Sequence, residues 1–274
     1  MSLKIYHGSR IEDLAEKLVE ELVAERKAKG PFEFLKVAVA NPNLGNWLKM
    51  KVLAKVPELG AGIEFPFAEA LMVEVLLENM PQGVMLELKQ EHDYAIAIMD
   101  ILLCDKRKEF SLFRRYITDG SDTLPLPDSG LTQRQARKAW QLSYRIAQMI
   151  DDYESYGSIA LLSEVSGKTE AYTAEKTLAD ILLGPGGRMA AAGKASLRDL
   201  FERVRTSSPS GHARKLRLFG FSLLTPLMVE ILAWIAKTHE VEVYCPHPFG
   251  SKETKLPELH APYCNLSVET INID

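Results

Sequence analysis

The residues with the clearest chemical spacing stand between positions 40 and 47. A phosphate-binding loop reads Gly-x-x-x-x-Gly-Lys-[Ser/Thr] between a strand and a helix. Here Ala40 takes the place of the first Gly, Gly45 matches the second, Asn46 replaces the Lys and Trp47 replaces the hydroxyl residue. The frame is kept and its chemistry is lost. No lysine charge reaches the β- and γ-phosphates, and no hydroxyl holds Mg²⁺. The other half of an ATP site is an acidic pair after an apolar strand. The best match, Met149-Ile150-Asp151-Asp152, lies inside a helical pattern and reads as a solvated helix face. The strand end Phe219-Gly220-Phe221-Ser222 carries no acid. ATP hydrolysis by this chain is therefore not expected.

Other chemistry finds little support. Cys245-x-His247 and His260-x-x-x-Cys264 echo a zinc finger, but the first pair is one residue short, and Pro257 and Pro262 flank the second. They read as a strand-end cysteine with loop histidines. There is no Gly-x-Ser-x-Gly elbow. The paired acids Glu20-Glu21 and Asp151-Asp152 sit on helical segments and read as solubilising surface. His7 follows a strand and is expected to make a structural hydrogen bond. Trp140 and Trp234 fall on apolar helical faces and are expected in the core. No catalytic residue, metal site or cofactor is expected.

The elements that carry these residues follow from periodicity. Leu3–Tyr6, Leu35–Ala40 and Ile63–Phe65 read as short strands. Each precedes a helical pattern: Ser9 as cap with Leu14, Leu18, Leu22 and Val23 on one face; Leu44, Trp47, Leu48 and Val52; and a helix opened by Pro66 with Leu71, Val75 and Leu76. This alternation predicts a parallel sheet with crossover helices. From Leu86 to Thr206 only helical patterns are read, over 87–104, 106–117, 131–156, 158–165, 174–183 and 196–205. The strand signal returns at Leu216–Gly220, with a helix over 227–237, a strand at Val241–Tyr244 and a further one at Ser267–Ile273. The predicted division is 1–84 with 212–250 as an α/β core, 85–211 as an inserted all-helical subdomain, and 251–274 as a polar tail. Of the 274 residues 46% are apolar and no run reaches a membrane span, so a globular chain with a real core is expected. Three cysteines are too few for a disulfide framework, so a cytoplasmic setting is expected. A net charge of −4 means that any nucleic-acid contact must use a local groove or be shared with partners.

Several blocks carry a family resemblance. They are Ile5-Tyr6-His7-Gly8-Ser9-Arg10, Asn46-Trp47-Leu48-Lys49-Met50, Ile63-Glu64-Phe65-Pro66, Leu112–Asp119 and Phe219–Pro226 through His247-Pro248. In order and spacing they resemble the N-terminal region of the RecC family, the gamma subunits of exodeoxyribonuclease V. The block Gly220-Phe221-Ser222-x-x-Thr225 also resembles AddB-type nuclease subunits. The resemblance implies a parallel-sheet, P-loop-like core similar to the first domain of a superfamily 1 helicase, without a working ATP site. It implies a scaffold that splits duplex DNA, guides a single strand and scans it for the hotspot sequence Chi. The implied partners are DNA and RecB-like and RecD-like subunits, with no membrane.

The resemblance also implies strand-contacting positions. Asn46 stands where the family has Gln, Asp119 matches an acid, Ile117 stands for Leu, and Phe67 replaces Leu. Pro42, in place of Thr, and Asn43 complete the set in the loop after the second strand. Ala40 replaces Gln, Val73 Trp and Gly120 Asp, so hydrogen-bonding groups used for Chi are lost. Family chains are several times longer, so a fragment or a short relative is expected. The alternatives are an AddB-like nuclease or helicase subunit with residual activity, or a pure protein-interaction module.

Overall fold

The computed structural model describes residues 3–30, 33–81, 86–90, 92–121, 130–156, 169–184, 186–209, 214–246 and 268–273. In chain order the elements are β1 (Leu3–Gly8), α1 (Ile11–Lys29), β2 (Leu35–Val39), α2 (Pro42–Lys55), β3 (Ile63–Glu64), α3 (Ala68–Glu78), β4 (Glu87–Leu88), α4 (Asp93–Cys104), α5 (Ser111–Ile117) and α6 (Gln133–Tyr156). They continue with α7 (Glu170–Leu183), α8 (Arg188–Ala191), β5 (Lys194–Ala195), α9 (Leu197–Val204), β6 (Lys215–Phe219), α10 (Pro226–Ile235), β7 (Glu240–Pro246) and β8 (Val268–Asn272). The chain divides into two compact units, Met1–Pro81 with Leu200–Asp274, and Gln82–Asp199. Among the described residues no helix is long and apolar enough to cross a membrane.

The first unit is built on a six-stranded sheet in the order β3-β2-β6-β7-β1-β8. Every pairing is parallel, as the alternation of strands and helices predicts. A parallel sheet must be covered on both faces. On one face, Leu14, Leu18 and Leu22 of α1 and Leu48 and Val52 of α2 pack with Val37, Val39, Phe219 and Tyr244 in one buried cluster. On the other face α3 approaches β2, where Lys36 Nζ meets Glu74 Oε2 at 2.6 Å. The crossovers out of β1 and β2 run toward β3, and those out of β3 and β6 run back. Right-handed connections therefore send α2 and α10 to opposite faces. That reversal falls between the neighbours β2 and β6.

Some boundaries differ from the sequence pattern. The cap of α1 is Arg10 rather than Ser9. Gly30, at φ 91°, ends the helix. Pro66 does not open α3, because Phe67 is still extended and bridges Val39. The amide of Val39 donates to the Pro66 carbonyl at 2.9 Å, so two more residues are spent on pairing before the helix can start.

In the second unit the expectation of an all-helical block is corrected. Residues 87–88 and 194–195 form a parallel pair, β4 with β5. Two-residue strands are too short to leave a period in sequence. The pattern over 87–104 therefore becomes β4 followed by α4, and that over 106–117 becomes a 3₁₀ turn at Lys108–Phe110 followed by α5. The helix α8 was not signalled. The expected helix over 158–165 lies outside the described residues. Tyr94, Ile98 and Leu102 of α4, Ile146 and Ile150 of α6 and Leu178 of α7 form the core.

Each unit buries charge. In the first, Arg217 sits in mid-strand on β6 with 1% of its side chain exposed. Its Nε lies 2.9 Å from Glu242 Oε2 on the paired strand β7, and its Nη1 lies 2.5 Å from Glu25 Oε2 on α1. Lys215 Nζ adds a contact to Glu242 at 3.0 Å. In the second unit Glu154 of α6 is buried, accepting from Tyr94 Oη at 2.6 Å and Ser196 Oγ at 2.7 Å. Burial pushes its carboxyl above the usual range, against the opposing effects of Lys89, Tyr94 and Ser196.

Two outcomes are expected. Arg217→Ala removes the guanidinium shared by the buried Glu242 and by Glu25, leaving them only Lys215 and Lys29, and should lower stability by about 3 kcal/mol in urea denaturation. Glu154 binds its proton more tightly when folded than when unfolded. Its contribution is thus full below the ordinary carboxylate range and is lost as pH rises through the raised folded value. Glu154→Gln should therefore gain stability relative to the parent chain as pH rises from about 4, read as the difference in urea midpoints across a pH series.

Candidate nucleic-acid interface

Ligands of open parallel sheets collect outside the carboxyl ends of the strands, where neighbouring connections leave in opposite directions. In this unit that place is the edge of β2 and β6. The chain leaves β2 through Ala40 and Asn41, the latter extended at φ −157° and ψ 161°. Asn41 caps α2: its Oδ1 accepts from the Leu44 amide at 2.9 Å, and its carbonyl accepts from Gly45 at 3.2 Å. Pro42, at the first helical position, has no amide to offer. The amides at 44 and 45 are therefore engaged within the helix start, and Pro42 has none to offer.

The same construction recurs at α10. Thr225 Oγ1 accepts from the Met228 amide at 3.3 Å, and Pro226 follows. Between β6 and α10 the chain turns at Gly220, whose φ is 80°. A Cβ there would collide with Leu44 Cδ2. Gly45 is a packing glycine as well, since a Cβ would stand 3.3 Å from Phe65 Cβ and 3.4 Å from Val39 Cγ2. Trp47 stacks on Phe219 with ring centroids 6.4 Å apart, which packs α2 against the end of β6.

Pro42, Asn43 and Asn46 are exposed at the start of α2. Phe67 is 53% exposed, and its bridge to Val39 places it at the same edge. Leu223, 72% exposed in the loop after β6, joins them and was missed in sequence, where a lone leucine among turn residues gives no signal. The other two expected positions belong to the second unit. Ile117 is fully buried in its core.

Asp119 is exposed and left-handed, at φ 59°. Its carboxylate accepts from Lys138 and lies 3.5 Å from Arg134, both on α6. The Lys138 hydrogen bond holds the carboxyl below its ordinary range, aided by the Arg134 charge. Among the described residues no three His, Cys, Asp or Glu side chains stand together to hold a metal ion. Cys245 lies in β7 with its thiol pushed up to about 11 by burial, while His247, His260 and Cys264 lie outside the described residues. The acids Asp151 and Asp152 fall on α6, as their helical pattern predicts, and Asp151 pairs with Lys89.

Sheet order, capped helix starts and an edge of amide and apolar side chains define a parallel α/β protein. The chain belongs to the RecC family: the family model described as "RecC, N-terminal domain" matches residues 3–255. It is similar to the RecBCD enzyme subunit RecC of Escherichia coli (strain K12), with 25% identity over 259 residues. That match covers 90% of this chain, and the chain spans 22% of that relative's length.

Gly220→Ala tests how firmly the edge is built. The left-handed backbone alone should cost about 1–2 kcal/mol, and the Leu44 collision adds to it. The measurement is the shift of the urea midpoint.

Proposed function

We propose that the chain is a non-catalytic DNA-channel and scaffold module of a RecBCD-type exodeoxyribonuclease V complex, acting in recombinational repair of double-strand breaks. Its partners are RecB-like and RecD-like subunits, which carry the motor and nuclease chemistry. The α/β unit is the counterpart of a helicase first domain with a disused ATP site. Residues 82–199 interrupt that unit in sequence and are its inserted subdomain.

One observation carries the reading: the closed, proline-bearing start of α2, with exposed Asn46 where a phosphate loop has its lysine. An amide at that point has no charge for a γ-phosphate, but it can pair with a base edge. Phe67, exposed at the same strand-end edge, offers a ring on which an unpaired base can stack. Membership of the RecC family supports the assignment to such a complex.

The test is fluorescence anisotropy of a labelled oligothymidylate. Asn46→Ala and Phe67→Ala should each weaken binding about tenfold, the scale of one base contact or one stacked base. No ATP turnover should accompany binding. Mg²⁺-dependent ATP hydrolysis that disappears in Asn46→Ala would overturn the proposal.

A further inference from the structure

The helix α6 carries a feature that the strand-end edge does not use. Between Gln133 and Ile150 it has four cationic residues, Arg134, Arg137, Lys138 and Arg145, and no acid. In a chain of net charge −4 this is a local excess of positive charge. At 100° per residue the four cations fall within about 100° of arc, opposite the buried Ala139, Ser143, Ile146 and Ile150. Arg134, Arg137 and Arg145 are exposed. Among the described residues Arg137 and Arg145 have no acidic partner, and Arg145 meets only Gln148, at 3.3 Å. Among the described residues Asp119 is the acid that faces this surface, holding Lys138 and Arg134 at one end of it.

Aromatic rings border the cations. Trp140, expected in the core, is 38% exposed. Its ring lies 6.3 Å from Tyr144, stacked, and 6.0 Å from the exposed His92. Tyr116, 52% exposed, lies under Lys138 Nζ at 5.3 Å. Cations that track phosphates, beside rings on which bases stack, are the combination that binds single strands without reading sequence. The row from Arg134 to Arg145 runs for about 17 Å along the helix at 1.5 Å per residue.

We infer that the exposed face of α6 is a second single-strand contact, with Arg134, Arg137 and Arg145 on the phosphates and Trp140 as the stacking platform. This rests on the DNA-binding reading above and adds a sequence-independent grip to it. The charge favours a nucleic acid over an apolar partner, and the rings favour unpaired bases over a duplex.

The test uses the 274-residue chain and a labelled oligothymidylate at several salt concentrations. Replacing the three arginines by Gln should weaken binding at low salt at least tenfold and flatten the log–log salt dependence by about 2, from about 0.7 per phosphate contact. Trp140→Ala should weaken binding about tenfold with the salt slope unchanged. Trp140→Phe should restore most of it, and circular dichroism should show each variant folded. If the triple variant keeps the parent affinity and slope while Asn46→Ala weakens binding, the inference fails, the strand-end reading stands, and the face belongs to an acidic protein partner. If the parent chain binds no single strand even at low salt, both readings fail.

Discussion

Arg217 is the constraint around which the first unit is assembled. A guanidinium with 1% exposure tolerates burial only when charged and hydrogen-bonded partners surround it. Those partners come from two other elements, Glu242 across the β6–β7 pairing and Glu25 on α1. The pair therefore fixes which residue of β6 faces which residue of β7. It also fixes how far along the sheet α1 settles. A one-residue slip of β6 would turn the guanidinium to the opposite face, against apolar partners. Lys215 on Glu242 and Glu240, and Lys4 on Glu240, extend the alternation of sign along the same face. Apolar contacts on both sides give the sheet its stability, and this ladder gives it one register.

That fixed register holds the carboxyl edge in place. The ends of β2 and β6 are held by their pairing at Val39 and Phe219, so the loops that leave them start from a rigid base. Gly220 lets the β6 loop press against Leu44, and Gly45 lets α2 press against Phe65 and Val39. What stands exposed at the edge is the side chains of Pro42, Asn43, Asn46, Phe67 and Leu223. The second unit uses a different device, a buried carboxylate satisfied by a tyrosine and a serine, to join α6 to α4 and the β5–α9 connection.

The sheet was legible because β1, β2, β6 and β7 are short runs rich in apolar residues set off by turn residues, and its helices carry leucines at four-residue spacing, as at Leu14, Leu18 and Leu22. The closed edge was half legible. The absence of Lys and of a hydroxyl could be read at Asn46 and Trp47, but the hydrogen bond from Leu44 to Asn41 could not. The ion pair of Arg217 was invisible, because an arginine inside Leu-Arg-Leu-Phe looks like any residue on a half-exposed strand. Trp140 was misplaced for a related reason. Its neighbours Ala139 and Leu142 suggest an apolar stripe, yet the buried arc of α6 runs through Ala139, Ser143 and Ile146 and leaves the indole at the margin. Periodicity locates a buried face only to within a residue or so, and a large ring at its border falls on either side.

The cap at the start of α2 has a consequence for engineering. Asn41 holds the Leu44 amide, Pro42 has none to offer, and Leu44 stands against Gly220. Placing Lys at 46 and a hydroxyl at 47 would add the side chains of a phosphate loop without changing these backbone positions, and would remove the indole that stacks on Phe219. Installing nucleotide binding at this edge would need several substitutions at once, each unfavourable without the others.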